Sequence, residues 1–149
     1  LEIVGHGEAR EGLERLATEL GLNDVVRFYG RLSPEEARAH LSRCTLVCIP
    51  RRPFTVCEIV PPLKLAEAMA LEKPVIVPDL PLFRDEAGEA GWFFRPGDAA
   101  HLAQVLTTAL ENPERCATMA RKGRERIISC RQWKHFVPYI LGEERCLVR

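Results

Sequence analysis

One stretch decides the predicted fold of this chain: Pro61-Pro-Leu-Lys-Leu-Ala-Glu-Ala-Met-Ala-Leu-Glu-Lys-Pro-Val-Ile-Val77. Proline is tolerated at the first position of a helix, where no amide donor is needed, so a helix is expected to follow the two prolines and to end near Leu71. The apolar run Val75–Val77 comes after a short turn and predicts a buried strand. The amides of Leu63 and Lys64 are therefore expected to be unpaired at the helix N-terminus, where the helix dipole attracts anions.

The segments on either side repeat the pattern of a strand followed by a helix. Predicted strands cover Leu1–Val4, Val25–Tyr29, Thr45–Ile49, Val75–Val77 and Gly91–Phe94. Predicted helices cover Glu8–Leu20, Pro34–Arg43, Pro62–Leu71, Phe83–Ala87, Ala99–Glu111, Pro113–Ser129 and Trp133–Leu141, the last interrupted or kinked near Pro138. Strands that alternate with helices indicate the α/β class, with a Rossmann-like parallel sheet and helices on both faces.

Local signals support several of these helices. Ser33 and Glu36 form the pattern of a capping box, and Asp98 is the expected cap of the helix at Ala99–Glu111. The spacing of apolar residues predicts which side chains face inward. They are Leu13, Leu16, Ala17 and Leu20 in the first helix, and Leu102, Val105, Leu106, Ala109 and Leu110 in the helix after Asp98.

Charged residues lie where a ligand of such a sheet would bind, beyond the carboxyl ends of the strands. Lys64 adds a positive charge to the helix start, and Glu67, one turn further along, can accept two hydrogen bonds from a vicinal diol. Phosphate at a helix start and a carboxylate on ribose hydroxyls are the means by which such sheets hold nucleotides. Arg51 and Arg52 follow a predicted strand, and either bind anionic groups there or are solvated loop residues.

Composition excludes some classes of protein. The 149 residues carry 21 basic and 21 acidic side chains, a balance that argues against a general nucleic-acid binder. The chain starts at Leu1 rather than at Met, inside a predicted strand, so we expect a preceding N-terminal part to be missing. The six cysteines form no C-x-x-C pair, which argues against zinc and favours free thiols in a reducing cytosol.

Five motifs in a fixed order resemble a known family. They are Ile3–Gly7, Val26–Gly30, Leu46–Pro50, Pro62–Ala70 together with Lys73–Ile76, and Gly91–Asp98. Together they resemble the C-terminal, donor-binding domain of retaining glycosyltransferases of the GT-B fold, in family 4 (glycosyltransferases group 1). The resemblance implies that residues 1–149 form a nucleotide-sugar-binding domain that lacks its first strand-loop and the N-terminal acceptor domain.

The resemblance also assigns site residues. Glu67 matches the second glutamate of the family's pair, which binds ribose, but the residue eight positions earlier is Ile59, and whether Glu58 replaces the absent first glutamate stays open. Lys64 matches a diphosphate contact. The complete set of predicted donor-binding residues is Glu67, Lys64, Leu63, Gly5, His6, Gly7, Arg27, Phe28, Arg51 and Pro62. Catalytic residues are not assigned, and no metal ligand is expected.

The activity implied is transfer of a sugar from a nucleoside-diphosphate sugar to a saccharide or lipid-linked acceptor, with retention of configuration. No cofactor or essential metal is expected, and this fragment alone should turn over little. The family suggests a cytoplasmic protein at the inner face of the membrane, peripherally associated with it. Trp133, Phe136, Tyr139 and Ile140 are expected to pack on the missing domain.

Two rival functions share the fold. One is a nucleotide-sugar epimerase or a sugar phosphorylase, although neither the carboxylates of the first nor the pyridoxal-phosphate lysine of the second is evident. The other is a non-catalytic nucleotide-binding module. The nucleotide base, the sugar, the acceptor and the oligomeric state stay open at this point.

Overall fold

The computed structural model describes residues 1–52, 54–55 and 59–142. These residues divide into two compact units, of which the first is Leu1–Arg43 and the second starts at Cys44. No helix in the described part of the chain is both long enough and apolar enough to cross a membrane.

The first unit contains two parallel strands and two helices. Strand β1 covers Glu2–Val4, helix α1 covers Arg10–Glu19, strand β2 covers Arg27–Gly30 and helix α2 covers Pro34–Arg43. Ile3 of β1 lies opposite Phe28 of β2 in the parallel register. Strand β2 starts later than predicted because the amides of Val25 and Val26 both donate to the Leu22 carbonyl, in a turn that follows α1.

Two predictions about the helices of this unit have different outcomes. The capping box at α2 is confirmed: the Glu36 amide donates to Ser33 Oγ at 3.2 Å, and the Ser33 amide donates to Glu36 Oε2 at 2.9 Å.

The inward face predicted for α1 is wrong for its three leucines. Only Ala17 is buried, whereas Leu13, Leu16 and Leu20 are 44%, 48% and 61% exposed. A two-stranded sheet offers little apolar surface, so it covers only the centre of the stripe.

The second unit contains a three-stranded parallel sheet in the order β3-β4-β5. The strands are β3 (Val47–Cys48), β4 (Val75–Pro78) and β5 (Gly91–Phe94). Its helices among the described residues include α3 (Leu63–Ala70), α4 (Pro81–Ala87), α5 (Ala99–Glu111), α6 (Pro113–Cys130) and α7 (Val137–Ile140), with 3-10 turns at Gly88–Ala90 and Trp133–His135. The strand pairs formed by the described residues are all parallel, as the alternation of strands and helices predicts.

The core of the second unit forms around β4, whose four residues are all buried. On one side Ile76, Trp92 and Phe94 pack with Ala109, Cys116 and Met119 of α5 and α6. Leu102, Val105 and Leu106 of α5 pack against this cluster as predicted, but Leu110 is 59% exposed. Leu110 follows Ala109 directly and is therefore turned by about 100° from the packed stripe.

The last helical segment is interrupted, as predicted, between the 3-10 turn at Trp133–His135 and α7.

Cys48, Cys116 and Cys130 are free thiols, and Cys116 is buried. Cys57 and Cys146 lie outside the described residues.

Candidate nucleotide site

The candidate site begins with the N-terminus of α3. Pro62 precedes the helix in an extended conformation, and its carbonyl accepts a hydrogen bond from the Leu65 amide at 2.9 Å. No side chain caps the helix. Within the described residues, the amides of Leu63 and Lys64 have no hydrogen-bond acceptor. Two unpaired donors thus remain at the positive end of the helix dipole, where an anion is stabilised.

The two faces of α3 differ sharply in exposure. Pro62, Leu65, Ala68 and Met69 are buried against the unit. Leu63, Lys64 and Glu67 are exposed, and Lys64 and Glu67 share one face because side chains three positions apart on a helix are neighbours. Neither Lys64 nor Glu67 forms an ion pair with another described residue. The burial of one face therefore fixes both charged groups in solvent, available to a ligand.

The start of α3 and Arg51 lie at the same edge of the sheet. Helix α3 connects two parallel strands, β3 and β4, so its N-terminus is at their carboxyl ends. Arg51 comes three residues after the end of β3 and is half-buried, while Arg52 is exposed. The Arg51 amide donates to the Ile49 carbonyl at 2.9 Å. The Arg51 side chain forms no ion pair with another described residue, so it can add positive charge at this edge.

Other charged groups at this edge already have partners. Asp98 Oδ1 caps α5 by accepting a hydrogen bond from the His101 amide at 2.8 Å, as the sequence predicts, and this bond lowers the pKa of Asp98. Asp79 follows β4, and its two carboxylate oxygens accept hydrogen bonds from Arg84 at 2.6 and 2.8 Å. The Arg84 guanidinium holds the pKa of Asp79 below its usual range. The N-terminus of α5 is therefore capped by the Asp98 side chain, whereas no side chain caps the N-terminus of α3.

Five predicted site residues belong to the first unit. Gly5, His6 and Gly7 follow β1 and are exposed, and the Gly5 amide donates to the Gly30 carbonyl at 2.8 Å. Gly5 has a φ of +146°, which side chains rarely adopt, so the turn requires glycine there. Arg27 and Phe28 open β2, with Arg27 exposed and Phe28 half-buried.

The predicted residues therefore separate into two groups. Gly5, His6, Gly7, Arg27 and Phe28 lie in the first unit, and Arg51, Pro62, Leu63, Lys64 and Glu67 lie in the second. Glu58 lies outside the described residues. The roles of all ten residues stay predictions.

Two surface depressions in the described part of the chain do not include the start of α3. Surface depressions lie on α1, among Glu11, Arg15 and neighbours, and beside β5, among Phe93, Arg115 and neighbours. Neither depression includes Lys64 or Glu67.

Two charged clusters were not predicted from the sequence. One is the Asp79–Arg84 pair, in which the Arg84 guanidinium also lies 4.1 Å from the centre of the Phe93 ring. The other joins β1 to α2: His40 Nδ1 lies 2.8 Å from Glu2 Oε2, and the Tyr29 hydroxyl donates to Glu2 Oε1 at 3.1 Å. The rings of Tyr29 and His40 also contact each other in a tilted arrangement, with ring centres 4.3 Å apart. Glu2 and His40 are 38 positions apart, so no local pattern indicates their contact.

Comparison with known proteins identifies the class of protein. The sequence model of the family "Glycosyl transferases group 1" matches residues 1–126, so the chain belongs to that family. The family predicted from the five motifs is thereby confirmed. The α/β class is confirmed as well, because the structure is similar to enzymes of the GT-B fold.

Individual relatives agree with this assignment. The chain is 30% identical over 139 residues to MMP alpha-(1->4)-mannosyltransferase of Mycolicibacterium hassiacum, a match that covers 90% of this chain and 32% of the relative. It is 34% identical over 115 residues to phosphatidyl-myo-inositol mannosyltransferase of Mycobacterium leprae, covering 75% and 29%. Sucrose-phosphate synthase of Thermosynechococcus elongatus superposes with a TM-score of 0.79 at 27% identity, covering 96% and 37%. The chain thus spans about a third of the length of each of these relatives.

Proposed function

We propose that this chain is the part of a glycosyltransferase that binds a nucleoside-diphosphate sugar. The observation that carries the proposal is the start of α3, where two amides without partners in the described residues lie beside the exposed Lys64 and Glu67. The amides and Lys64 take the diphosphate, and Glu67 accepts hydrogen bonds from the ribose hydroxyls. Arg51 adds a second cation at the same edge.

The same groups contribute to catalysis. Negative charge develops on the diphosphate as the bond to the sugar breaks, and oriented amide dipoles and fixed cations stabilise that charge. In this proposal the transfer needs no essential metal, because Lys64, Arg51 and the helix dipole supply the positive charge. Retention of configuration at the sugar rests on the likeness to the family alone.

The donor and acceptor classes are proposed from the relatives. Both curated relatives are named as mannosyltransferases, which favours a hexose as the transferred sugar. One is named for phosphatidyl-myo-inositol, which supports a saccharide or lipid-linked acceptor at the cytoplasmic face of a membrane. Because the chain spans about a third of these relatives, we expect an acceptor-binding domain elsewhere in the complete protein, and little turnover without it.

Calorimetric titration with UDP, GDP and ADP tests the proposal. One of the three nucleotides should bind, and Glu67→Ala should weaken that binding about tenfold to a hundredfold, because a hydrogen bond to a charged group contributes about 1.5–3 kcal/mol. Glu111→Ala is the matched control, since Glu111 is an exposed helical glutamate at the far end of α5 and has no ion-pair partner among the described residues.

The titration is repeated on the complete protein, because this chain alone is expected to bind the nucleotide more weakly. Weak binding by the fragment is then not taken as evidence against the proposed function. Binding in the complete protein that is lost in Glu67→Ala supports the proposal. If the complete protein binds none of the nucleotides, or if Glu67→Ala and Glu111→Ala bind equally well, the proposed site is wrong. Interconversion of a nucleotide sugar without an acceptor would point to an epimerase instead.

A further inference from the structure

Strand β5 has one edge without a strand partner among the described residues. It lies at the end of the order β3-β4-β5 and pairs with β4 there. In a parallel ladder, successive residues direct their backbone N–H and C=O groups to opposite sides. The Asp79 amide, directly after β4, donates to the Phe94 carbonyl at 2.8 Å, so the backbone of Phe94 faces β4. The amide and carbonyl of Phe93 therefore point to the unpaired edge.

A groove runs along this edge. It is the depression beside β5 described above, and we refer to it as the edge groove. Its lining includes Phe93 of β5, Arg84 of α4, and Arg115, Thr118 and Lys122 of α6. The unpaired edge of β5 therefore lies among cationic side chains that two helices contribute.

Two of these cations are positioned by aromatic rings of β5. The Arg84 guanidinium lies over the Phe93 ring at 4.1 Å from its centre, and the Arg115 guanidinium lies over the Trp92 ring at 4.5 Å. Successive side chains of a strand point to opposite faces of the sheet. The two guanidiniums therefore flank the edge of β5, one on each face.

The charges of the edge groove are of both signs, with cations in excess. Glu89 also lines the groove, and its carboxylate pairs with Lys122 at 2.6 Å. Arg84 pairs with Asp79. Arg115 forms no ion pair with another described residue, although its side chain is exposed. Three cations and one carboxylate among the lining residues favour an acidic partner.

The backbone of β5 distinguishes between the possible occupants. A small anion can accept a hydrogen bond from the Phe93 amide, but it has no donor for the Phe93 carbonyl, whereas a peptide backbone supplies both groups. A second copy of this chain would bring the same arginines to the pairing edge, and like charges at a sheet edge oppose such pairing. An acidic segment in an extended conformation satisfies the backbone and the charges together.

We propose that an extended acidic segment of another protein adds to β5 as a further strand. Main-chain hydrogen bonds hold such a segment, and side chains at alternating positions select it. Acidic residues at neighbouring positions of the segment meet Arg84 on one face and Arg115 on the other. The proposal goes beyond donor binding, because the edge groove includes neither Lys64 nor Glu67.

A fluorescein-labelled peptide, Val-Glu-Asp-Val-Glu-Asp-Val, is the probe, because its spacing puts carboxylates on both faces of a strand. Fluorescence polarisation should show binding that weakens as salt is added. Two control peptides should bind at least about tenfold more weakly. One has Gln and Asn in place of Glu and Asp, and the other has methyl groups on its central amides. Sodium phosphate should compete no better than sodium chloride of equal ionic strength.

Variants of the chain test the role of the arginine. Arg115→Glu should weaken binding of the acidic peptide about tenfold or more, since it replaces an attractive charge by a repulsive one. Arg115→Gln gives the effect of charge loss alone and should weaken binding less. Arg38→Glu is the matched control, because it changes the net charge equally and its side chain is exposed on α2, in the first unit. Thermal melts show that each variant is folded.

Hydrogen exchange followed by NMR locates the bound peptide. In the free chain the Phe93 amide should exchange faster than the Phe94 amide, because only Phe94 faces β4. An excess of peptide should slow exchange at Phe93 and leave Phe94 unchanged. Protection that is confined to other amides would overturn the proposal.

The polarisation titrations are repeated on the complete protein and its variants. Peptide binding there that Arg115→Glu weakens and Arg38→Glu does not supports the proposal. No binding by the complete protein, equal effects of the two variants, or specific displacement by phosphate would each overturn it. Nucleotide binding is measured on the same samples, so a failure of the donor site is seen separately.

Discussion

Lys64 and Glu67 lie one helical turn apart on the exposed face of α3, and neither is paired with another described charged residue. Opposite charges at this spacing often pair on a helix surface, although such pairs contribute only about 0.2–0.5 kcal/mol. A ligand that contacts both side chains therefore does not have to break a strong ion pair between them. The two residues are expected to act on different parts of that ligand, which gives the first prediction.

In the proposed donor site, Glu67 should contribute to binding of the ribose and Lys64 to binding of the diphosphate. We expect Glu67→Gln to weaken binding of a nucleoside and of its diphosphate by the same factor, because both carry the ribose. Lys64→Ala should weaken only the diphosphate, since the nucleoside has no phosphate. Lys73→Ala is the control, because Lys73 lies beyond the opposite end of α3. Calorimetry on the four proteins measures both affinities, and equal effects of Lys64→Ala on both ligands would contradict the assignment.

The Glu2–His40 contact should make the first unit sensitive to acid. The hydrogen bond to His40, and secondarily that from Tyr29, holds the pKa of Glu2 below its usual range. A carboxyl with a lowered pKa stabilises the folded state above its unfolded pKa, and that contribution is lost as the pH falls through the folded pKa. We therefore expect Glu2→Gln to lower the melting temperature at pH 7, with a difference from the unmodified chain that shrinks below about pH 4.

Thermal melts at a series of pH values measure this difference. Glu8→Gln is the matched control, because Glu8 is exposed and has no hydrogen bond to another described side chain. A constant difference between Glu2→Gln and the unmodified chain at all pH values would show that the contact does not depend on ionisation.

Two glycines should respond to alanine with opposite signs. A Cβ at Gly91 would lie 2.9 Å from Ala87 Cβ and 3.0 Å from the Phe93 ring, so we expect Gly91→Ala to cost about 1–3 kcal/mol through overpacking. A Cβ at Gly12, inside α1, meets no atom within 4 Å. Gly12→Ala should stabilise the chain by about 0.5–1 kcal/mol because helices favour alanine. Urea unfolding measures both, and a neutral Gly91→Ala would mean that β5 can move away from α4.

The cysteines should differ in reactivity. Burial raises the pKa of the Cys48 thiol to about 11, and Cys130 is exposed at the end of α6. Because the thiolate is the nucleophile, iodoacetamide at pH 8 should modify Cys130 well before Cys48. Peptide mapping by mass spectrometry compares the rates of modification at Cys130 and Cys48. Rapid labelling of Cys48 in the folded chain would contradict its burial.

Local signals in the sequence predicted those features that depend on residues within one turn. The bounds of α5 at Ala99–Glu111 and its Asp98 cap agree with the prediction, as does the capping box at Ser33. The helix predicted to follow the two prolines and to end near Leu71 is likewise observed, as α3 at Leu63–Ala70. These features need only neighbouring backbone and side-chain atoms, so the order of residues is sufficient to determine them.

Tertiary structure decided the contacts between residues that are far apart in the chain. The Arg126 side chain donates to the Asp85 and Glu86 carbonyls, about forty positions earlier, and Glu2 meets His40 across a comparable separation. The three leucines of α1 have the spacing of a buried face, yet the first unit leaves them exposed. These outcomes depend on which surfaces the folded chain brings together. The spacing of apolar residues indicates that a helix has a face suited to burial, but it does not indicate which part of the protein covers that face.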